Sequence, residues 1–300
     1  MKVADVILRR SPLQIASRWR SAGRLAVLGF HGVDEPDHFA ALMDHLLRIR
    51  YRPISADELT AVLEGRATLP ERAVLVTFDD GERSVLEFGL PILAERGIPA
   101  IAFVIAGLVD TELDFWWSQA ETYVNGGATP PGLGNTTAAE VVGYLKQLSN
   151  DHRLSELDRL RVASSENARV VTQLRSHELV DLERSGIVIG NHTWSHPCLN
   201  RCDPETTDRE IQSAHHALEQ ATGHPIEWFA YPNGDWSPDA ETTLTELGYR
   251  GAFLFDHRLS NMEEHLRLSR LRANSTTSLD RLSLILSGLH PALHRARGRS

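Results

Sequence analysis

Val-Leu-Val-Thr-Phe-Asp-Asp-Gly, residues 74–81, is an apolar run that ends abruptly in two carboxylates and a glycine. The apolar part has the character of a buried strand. Because parallel α/β folds place their sites at the carboxyl ends of strands, carboxylates here favour chemistry. Successive strand side chains point to opposite faces, so one of Asp79 and Asp80 can hold a metal while the other handles a proton. The alternative is a helix N-cap, in which the carboxylates satisfy free N–H groups.

A second strand-like run ends in two histidines. Residues 187–196 read Ile-Val-Ile-Gly-Asn-His-Thr-Trp-Ser-His, which places His192 and His196 four residues apart. Pro197 disfavours a helix through His196, so we expect a loop that turns both rings toward one cation. Two imidazoles and a carboxylate suit zinc or a related divalent ion, with water at the open position. The alternative is a pair of ordinary loop histidines in a chain with fourteen, but the presence of the aspartate motif in the same chain favours ligation.

In combination and in this order, the two motifs closely resemble those of the polysaccharide deacetylases of carbohydrate esterase family four, the NodB-homology domain. The resemblance covers most of residues 25–110 and 175–285. It implies an α/β fold, a distorted (β/α)7-type barrel, in a single deacetylase domain over residues 1–300.

The resemblance also implies roles for the motif residues. Asp79 would be the general base, and Asp80, His192 and His196 would bind one divalent metal ion. Zinc is expected, and cobalt, nickel, manganese and iron are alternatives because this ligand set suits several metals. The metal would polarise an amide carbonyl and its bound water, and Asp79 would take the proton of that water.

A third motif departs from the family's majority pattern. Residues 228–234 read Trp-Phe-Ala-Tyr-Pro-Asn-Gly, with Ala230 where many relatives carry an arginine that orients the base, and Asn233 where they carry tyrosine. Phe-Ala-Tyr-Pro-x-Gly resembles a branch of the same family. Arg270 is a candidate to replace the arginine, because a guanidinium fork pairs well with a carboxylate; the alternative is a surface charge. Tyr231 and Asn233 are predicted to line the pocket, and the backbone N–H of Asn233 is a candidate oxyanion donor.

The general acid has two candidates. In this family it is usually a histidine of a leucine-histidine motif near the C-terminus, and here Leu-His ends at His290. We expect His290 to lie at the surface, because it follows a probable helix and precedes a basic tail. His31 is the better candidate, since it ends the strand-like run 24–30 and a histidine can donate a proton to a leaving amine. Packing and hydrogen bonding at the barrel mouth is its alternative role.

Alternating strand and helix patterns support the parallel barrel. Strands are expected at 25–30, 73–78, 100–105, 187–190, 227–231 and 251–255. Helices are expected at 36–50, 55–64, 83–96, 204–222 and 238–247.

Residues 110–175 interrupt this alternation and are predicted to form an inserted helical subdomain. Phe115, Trp116 and Trp117 offer a sugar platform or a packing contact with the barrel. Of these three, Trp116 is predicted to lie near the substrate. Trp194, between the two metal-binding histidines, is the stronger candidate for a pocket wall.

Composition and charge agree with a soluble enzyme. The chain has 300 residues, 42% apolar content and a formal charge of −9, which argues against a nucleic-acid partner. Both ends are nevertheless basic, and such ends are usually solvated; weak contact with an anionic membrane surface is the alternative. Their arginines are Arg9, Arg10, Arg18, Arg20, Arg24, Arg295, Arg297 and Arg299.

The remaining sequence signals indicate a cytoplasmic location for the protein. Cys198 and Cys202 are the only cysteines, and two free thiols fit a reducing compartment, with a disulfide as the alternative. Arginines interrupt every apolar stretch of residues 1–24, which argues against a signal peptide. No apolar run reaches the length of a membrane span.

The expected function is the metal-dependent removal of an N-acetyl, or another small N-acyl, group from an amino sugar, a glycan or a biosynthetic intermediate. Two alternatives keep the same chemistry: hydrolysis of a non-sugar or cyclic amide, as in allantoinase-like relatives, and deformylation of a lipid-linked amino sugar. A third, from another class, is an inactive barrel that binds a glycan. Such a barrel is expected to have lost a motif residue, whereas Asp79, Asp80, His192 and His196 are all present.

Overall fold

A curled parallel sheet forms the centre of the protein in this computed structural model, which describes residues 3–21, 23–134 and 136–296. The strands are β1 (Ala26–Phe30), β2 (Arg52–Pro53), β3 (Ala73–Phe78), β4 (Ala100–Val104), β5 (Ile187–Asn191), β6 (Trp228–Ala230), β7 (Gly251–Phe253) and β8 (Leu271–Arg272). Their order is β7-β6-β5-β4-β3-β1-β8, with β2 beside β3, and these strands pair in parallel.

The sheet curls far enough to bring its two edges together. β8 pairs with β1 at one edge. At the other edge, the N–H of Leu268 donates to the carbonyl of Ala252 and the N–H of Leu254 donates to the carbonyl of Leu268, each at 2.8 Å. The chain from Leu268 to Arg272 therefore links β7 to β1. The predicted distorted (β/α)7-type barrel is confirmed, and all six predicted strands are present.

Both faces of the central strands are covered, as expected for a parallel sheet. Every residue of β1, β3 and β4 is buried, which explains why these segments read as continuous apolar runs. The helices are α1 (Val3–Arg9), α2 (Pro12–Arg20), α3 (Pro36–Arg48), α4 (Ala56–Leu63), α5 (Leu90–Glu95), α6 (Trp116–Asn125), α7 (Ala138–Leu145), α8 (Asn150–Ala163), α9 (Ser176–Arg184), α10 (Pro204–Thr222), α11 (Pro238–Glu246), α12 (Leu279–Leu286) and α13 (Leu289–Ala296).

The predicted helix over 83–96 is divided in two. A π-helical turn, Val85–Gly89, precedes α5, and the N–H of Leu90 bonds to the carbonyl of Val85. Pro91 has no N–H to donate, so the regular α-helical bonding pattern is interrupted at this point.

Helices α6, α7 and α8 fall within residues 110–175 and share a small core of their own. Its buried members are Trp116, Ala120, Tyr123, Ala128, Val141, Leu145 and Leu160. Thr137 and Glu140 form a capping box that fixes the start of α7. Helices α6 and α7 supply part of the cavity described below.

Two helices that the sequence patterns did not reveal, α1 and α2, precede β1. An ion pair of 2.8 Å joins Asp5 of α1 to Arg281 of α12, and another of 2.7 Å joins Arg9 to Asp280. The arginines of the basic ends that remain exposed are Arg10, Arg20, Arg24 and Arg295. Arg297, Arg299 and the side chain of Arg18 lie outside the described residues. No helix among the described residues is long and apolar enough to span a membrane.

The close approach of β5 to its neighbours requires a glycine. A Cβ at Gly190 would lie 2.5 Å from Cδ1 of Phe103 and 3.0 Å from the carbonyl oxygen of Trp228. We expect Gly190→Ala to lower the free energy of unfolding by about 1–3 kcal/mol in urea denaturation, because the sheet has to shift. Gly143→Ala is the control: its Cβ meets no atom within 4 Å on helix α7. That variant is expected to be unchanged or more stable, and equal losses in both variants would contradict the packing argument.

Candidate metal centre and active site

The turn after β3 separates the two adjacent aspartates. Asp80 and Gly81 both have left-handed backbones, with φ of 69° and 75°. A Cβ at residue 81 would lie 3.1 Å from Cγ1 of Val104, so glycine fits the conformation and the space. The N–H of Asp79 is held by the carbonyl of Phe30 at 2.9 Å. As a result, the two carboxylates make different contacts.

Asp80, His192 and His196 converge at the carboxyl ends of β3 and β5. Their ligand atoms all lie within 4.8 Å of one another, and all three side chains are buried. Oδ1 of Asp80 lies 3.4 Å from Nε2 of His192 and 3.5 Å from Nε2 of His196. Among the described residues, this oxygen has no hydrogen-bond partner although it is buried. A buried carboxylate oxygen facing two imidazole nitrogens fits a divalent cation.

The third motif orients one of these histidines through its backbone. Nδ1 of His192 donates to the carbonyl oxygen of Ala230 at 2.8 Å. This bond fixes the tautomer and leaves Nε2 as the free ligand atom. Ala230 lacks a functional side chain, but its main chain contributes to the site.

The loop between the two histidines is held in an unusual conformation. Thr193 and His196 have left-handed backbones, with φ of 69° and 56°. The N–H of Thr193 donates to Oδ1 of Asn191 at 2.7 Å, and the N–H of His196 donates to Oγ1 of Thr193 at 3.0 Å. These side-chain contacts offset backbone strain and turn both rings toward Asp80.

Glu210 of α10 fastens the same loop from outside. Its carboxylate accepts the N–H of Ser195 at 2.8 Å and the hydroxyl of Ser195 at 2.7 Å. Its backbone carbonyl accepts the N–H of Trp194 at 3.1 Å. The position of His196 therefore depends on a buried residue that no sequence motif indicated.

Charge on the three candidate ligands is set by burial and by their mutual contact. Burial raises the pKa of Asp80, but the neighbouring His192 and His196 rings lower it overall. Burial lowers the pKa of His196 to about 3, so this ring is neutral at pH 7, as a metal ligand has to be. For His192 burial also lowers the pKa, but Asp79 and Asp80 outweigh it, and the net shift is upward.

Asp79 is bound by a guanidinium fork. Nη1 and Nη2 of Arg270 lie 2.6 and 2.8 Å from its two carboxylate oxygens, and both side chains are buried. Arg270 is itself fixed, because its Nε donates to the carbonyl of Leu254 at 2.8 Å and its Nη1 to the hydroxyl of Thr77 at 3.2 Å. Burial raises the pKa of Asp79, whereas the charges of Arg270 and His192 lower it below its ordinary value. Asp79 is therefore an ionised, rigidly oriented carboxylate.

Asp79 and the three candidate metal ligands line one cavity of about 570 Å³. Besides the residues above, its lining includes two sequence-predicted residues, His31 and Asn233. The His31 ring contacts the edge of Phe255, with 5.4 Å between the ring centres. Trp117, one of the three aromatic residues offered as a sugar platform, also lines the cavity. The lining residues that sequence reasoning did not name are Glu82, Glu121, Val142, Lys146, Phe255 and Arg272.

Three predicted pocket residues require correction. Tyr231 is fully buried and donates its hydroxyl to the carbonyl of Leu266, so it faces the core and not the cavity. Trp116 is also buried and donates its indole N–H to the carbonyl of His196, which makes it a support of the ligand loop. Trp194 lines a neighbouring pocket, which shares His196 and Trp117 with the cavity.

The aromatic wall is instead Trp117, whose ring lies 4.8 Å from that of His196 and stacks on Phe115. Lys146 completes the wall by donating to Oδ1 of Asn233 at 2.6 Å. Both come from the segment 110–175. His290 bonds to His257 and Arg281, and the cavity lining does not include it.

Comparison with known proteins gives one family. Residues 66–252 match the family model described as polysaccharide deacetylase. A stretch of 64 residues is 38% identical to a poly-beta-1,6-N-acetyl-D-glucosamine N-deacetylase of Escherichia coli strain K12. That stretch is 21% of this chain and 10% of the relative, so the match spans about a tenth of the curated protein's length.

Solved structures share the fold at low sequence identity. IcaB from Ammonifex degensii has a TM-score of 0.61 at 20% identity, covering 88% of this chain and 97% of that one. A de-N-acetylase from Aggregatibacter actinomycetemcomitans has a TM-score of 0.62 at 14% identity, covering 87% and 99%. The Streptococcus pyogenes deacetylase PplD, solved with acetate, has a TM-score of 0.60 at 16% identity, covering 88% and 98%.

The role of Glu210 is testable by metal binding. Glu210→Ala removes both contacts with Ser195 and is expected to weaken zinc affinity roughly 10- to 100-fold, as loss of a support for a metal ligand does. The measurement is a chelator-competition titration. Glu205→Ala, at an exposed position of the same helix, is the control and is expected to bind zinc normally. Equal affinity in both variants would show that α10 does not position the loop.

Zinc affinity is expected to rise with pH. The raised pKa of His192 means that protonation of this ring persists to higher pH than for an ordinary histidine, and the ring has to be neutral to bind metal. The proton competes with zinc below this pKa and is lost above it. Calorimetry in buffers of different ionisation enthalpy should therefore detect proton release on binding. Affinity without pH dependence and without proton release would contradict this assignment.

Proposed function

Because the chain belongs to the polysaccharide deacetylase family, we propose that it is a metal-dependent N-deacetylase that hydrolyses the acetamide of an amino sugar. The observation that carries the proposal is the pairing of two differently held carboxylates at one cavity. Asp79 is bound by Arg270, and Asp80 faces His192 and His196. A separate base and metal centre are the parts that metal-assisted amide hydrolysis needs.

Asp80, His192 and His196 would hold the metal ion, with zinc preferred and cobalt, nickel, manganese or iron as alternatives. Support comes from the buried, unpartnered Oδ1 of Asp80 and the Nε2 of His192 left free by the bond to Ala230. When bound, a divalent ion supplies Lewis-acid chemistry that polarises the acyl carbonyl and acidifies the attacking water.

Asp79 would accept the proton of the attacking water. Its lowered pKa keeps it ionised at neutral pH. The fork of Arg270 prevents rotation of the carboxylate and leaves it aimed at the cavity. A fixed base avoids the cost of reorganisation during the reaction.

His31 would donate the proton that the leaving amine requires. It lies in the same cavity as Asp79, and its ring rests against Phe255. The imidazole ring is a common proton donor in enzymes, which suits this role.

The cavity chemistry fits a sugar better than an apolar amide. Trp117 offers an aromatic face for a pyranose ring, while Glu121, Lys146 and Asn233 offer hydrogen-bonding groups for its hydroxyls. The name of the E. coli relative specifies poly-beta-1,6-N-acetyl-D-glucosamine. We therefore propose an N-acetylglucosamine-containing glycan or intermediate as the substrate.

The separate roles of Asp79 and the metal ligands predict that two inactive variants differ in zinc content. Asp79→Asn is expected to lower kcat about 10²- to 10⁴-fold, because the base is lost. Its zinc content is expected to be unchanged. His196→Ala is expected to lose both zinc and turnover. Acetate release and elemental analysis on the same samples measure the two properties. Full turnover by Asp79→Asn would remove Asp79 from the mechanism.

The same assay identifies the amide. Acetate release from N-acetylglucosamine oligomers is the expected result. Release of formate from an N-formyl amino sugar, or opening of a cyclic amide, with no reaction on the oligomers would assign the site to an alternative substrate. Zinc binding without turnover on any of these would support a glycan-binding barrel.

A further inference from the structure

Helix α2 buries its polar face and exposes its apolar face. Its polar side chains point inward: Nε2 of Gln14 donates to the carbonyl of Ser283 at 3.0 Å, and the amide oxygen of Gln14 accepts the hydroxyl of Ser287 at 3.0 Å. One turn on, the hydroxyl of Ser17 donates to the carbonyl of Ser287 at 2.8 Å. A surface helix of a globular protein normally buries its apolar side. Here a hydrogen-bonded polar face attaches the helix to α12.

Four large apolar side chains of α1 and α2 face outward. Ile7, Leu13, Ile15 and Trp19 are exposed to 64%, 59%, 61% and 77%. Four large apolar residues within 13 positions are more than the isolated exposed leucine or valine that most surfaces carry. Such a concentration indicates an interaction surface.

The charge around these residues is positive. Arg10, Arg20 and Arg24 are exposed beside them. The only acidic residue in the first 24 positions is Asp5, which is buried and paired with Arg281. The rest of the chain is acidic, since the whole carries a formal charge of −9. The basic and apolar surface of α1 and α2 therefore differs in charge from the chain as a whole.

A groove of about 360 Å³ continues this surface under the barrel. Ile15 and Trp19 form one side of it, and Tyr51, Leu259 and Leu286 contribute to its apolar lining. Its charged lining residues are Arg24, Arg72 and Glu71. Two arginines against one glutamate keep the opening positive.

We propose that α1 and α2 form a peripheral docking surface for an anionic phospholipid membrane. Exposed aliphatic residues and a tryptophan flanked by arginines are the combination that binds in the headgroup region of a bilayer. A second copy of the chain is a poorer occupant. A twofold contact of this face with itself would place Arg10, Arg20 and Arg24 of both copies against one another.

The surface and the active site lie at opposite ends of the barrel. The groove is lined by Arg24 and Ala26, at the start of β1, and by Arg72, just before β3. The site residues Asp79 and His31 follow the other ends of these strands. A docked protein therefore presents its cavity away from the bilayer, to glycan that approaches from the aqueous side.

Vesicle co-sedimentation of the full chain tests the proposal. Vesicles of phosphatidylcholine alone and of phosphatidylcholine with phosphatidylglycerol separate the apolar contribution from the charge contribution. We expect binding to the anionic vesicles, weakened by added salt. The double variant Ile15→Ser/Trp19→Ser is expected to bind at least about tenfold more weakly, because it removes two apolar contacts.

Val162→Ser/Val170→Ser is the matched control, because these valines are 71% and 77% exposed outside α1 and α2. It is expected to bind vesicles as the unaltered protein does. Acetate release from a soluble substrate should be unchanged in both variants, so failure of the docking surface is distinguishable from failure of the proposed function. Absence of vesicle binding, or equal binding by both variants, would overturn the proposal. So would light scattering that shows a dimer dispersed by Ile15→Ser/Trp19→Ser without any vesicle binding.

Discussion

The buried ion pair between Asp79 and Arg270 is the interaction on which the rest of the site depends. Isolated buried charges are costly. This pair is tolerable because both Nη groups of Arg270 donate to Asp79 and its Nε also has a partner. The pair joins the end of β3 to the segment that closes the barrel. It also engages the carboxylate of Asp79, so that of the two adjacent aspartates only Asp80 faces the histidines. Neighbouring residues of one type thereby acquire different chemistry.

The candidate metal centre rests on main-chain and supporting contacts more than on the ligands alone. The carbonyl of Ala230 fixes the tautomer of His192, and Glu210 fastens the loop that carries His196. Trp116 adds a third support through the carbonyl of His196. The barrel strands thus orient the ligand side chains, while helices packed outside the barrel hold the loop between the two histidines in place.

Local sequence patterns indicated the strand ends and the two motifs, and the family resemblance implied the barrel type and the choice of Asp80 over Asp79 as a ligand. Apolar runs end in polar residues at β3 and β5, and strand ends in a parallel sheet meet at one edge. The position of Lys146 had no such signal, and Trp117 was not distinguished from Phe115 and Trp116, because the segment 110–175 reaches the cavity through tertiary packing. Tyr231 was misplaced because three-residue strand β6 ends just before it, and alternation does not determine direction once a strand has ended. The reversed amphipathicity of α2 was likewise invisible, since its inward polar contacts are with residues more than 260 positions away.

Anomalous diffraction from zinc-loaded crystals, at the zinc absorption edge, tests the central claim most directly. The account predicts one strong peak bonded to Asp80, His192 and His196, with Asp79 still paired to Arg270. A zinc ion bonded to Asp79, or a peak only at a site remote from these residues, would contradict the separation of base and ligand on which the proposed mechanism rests.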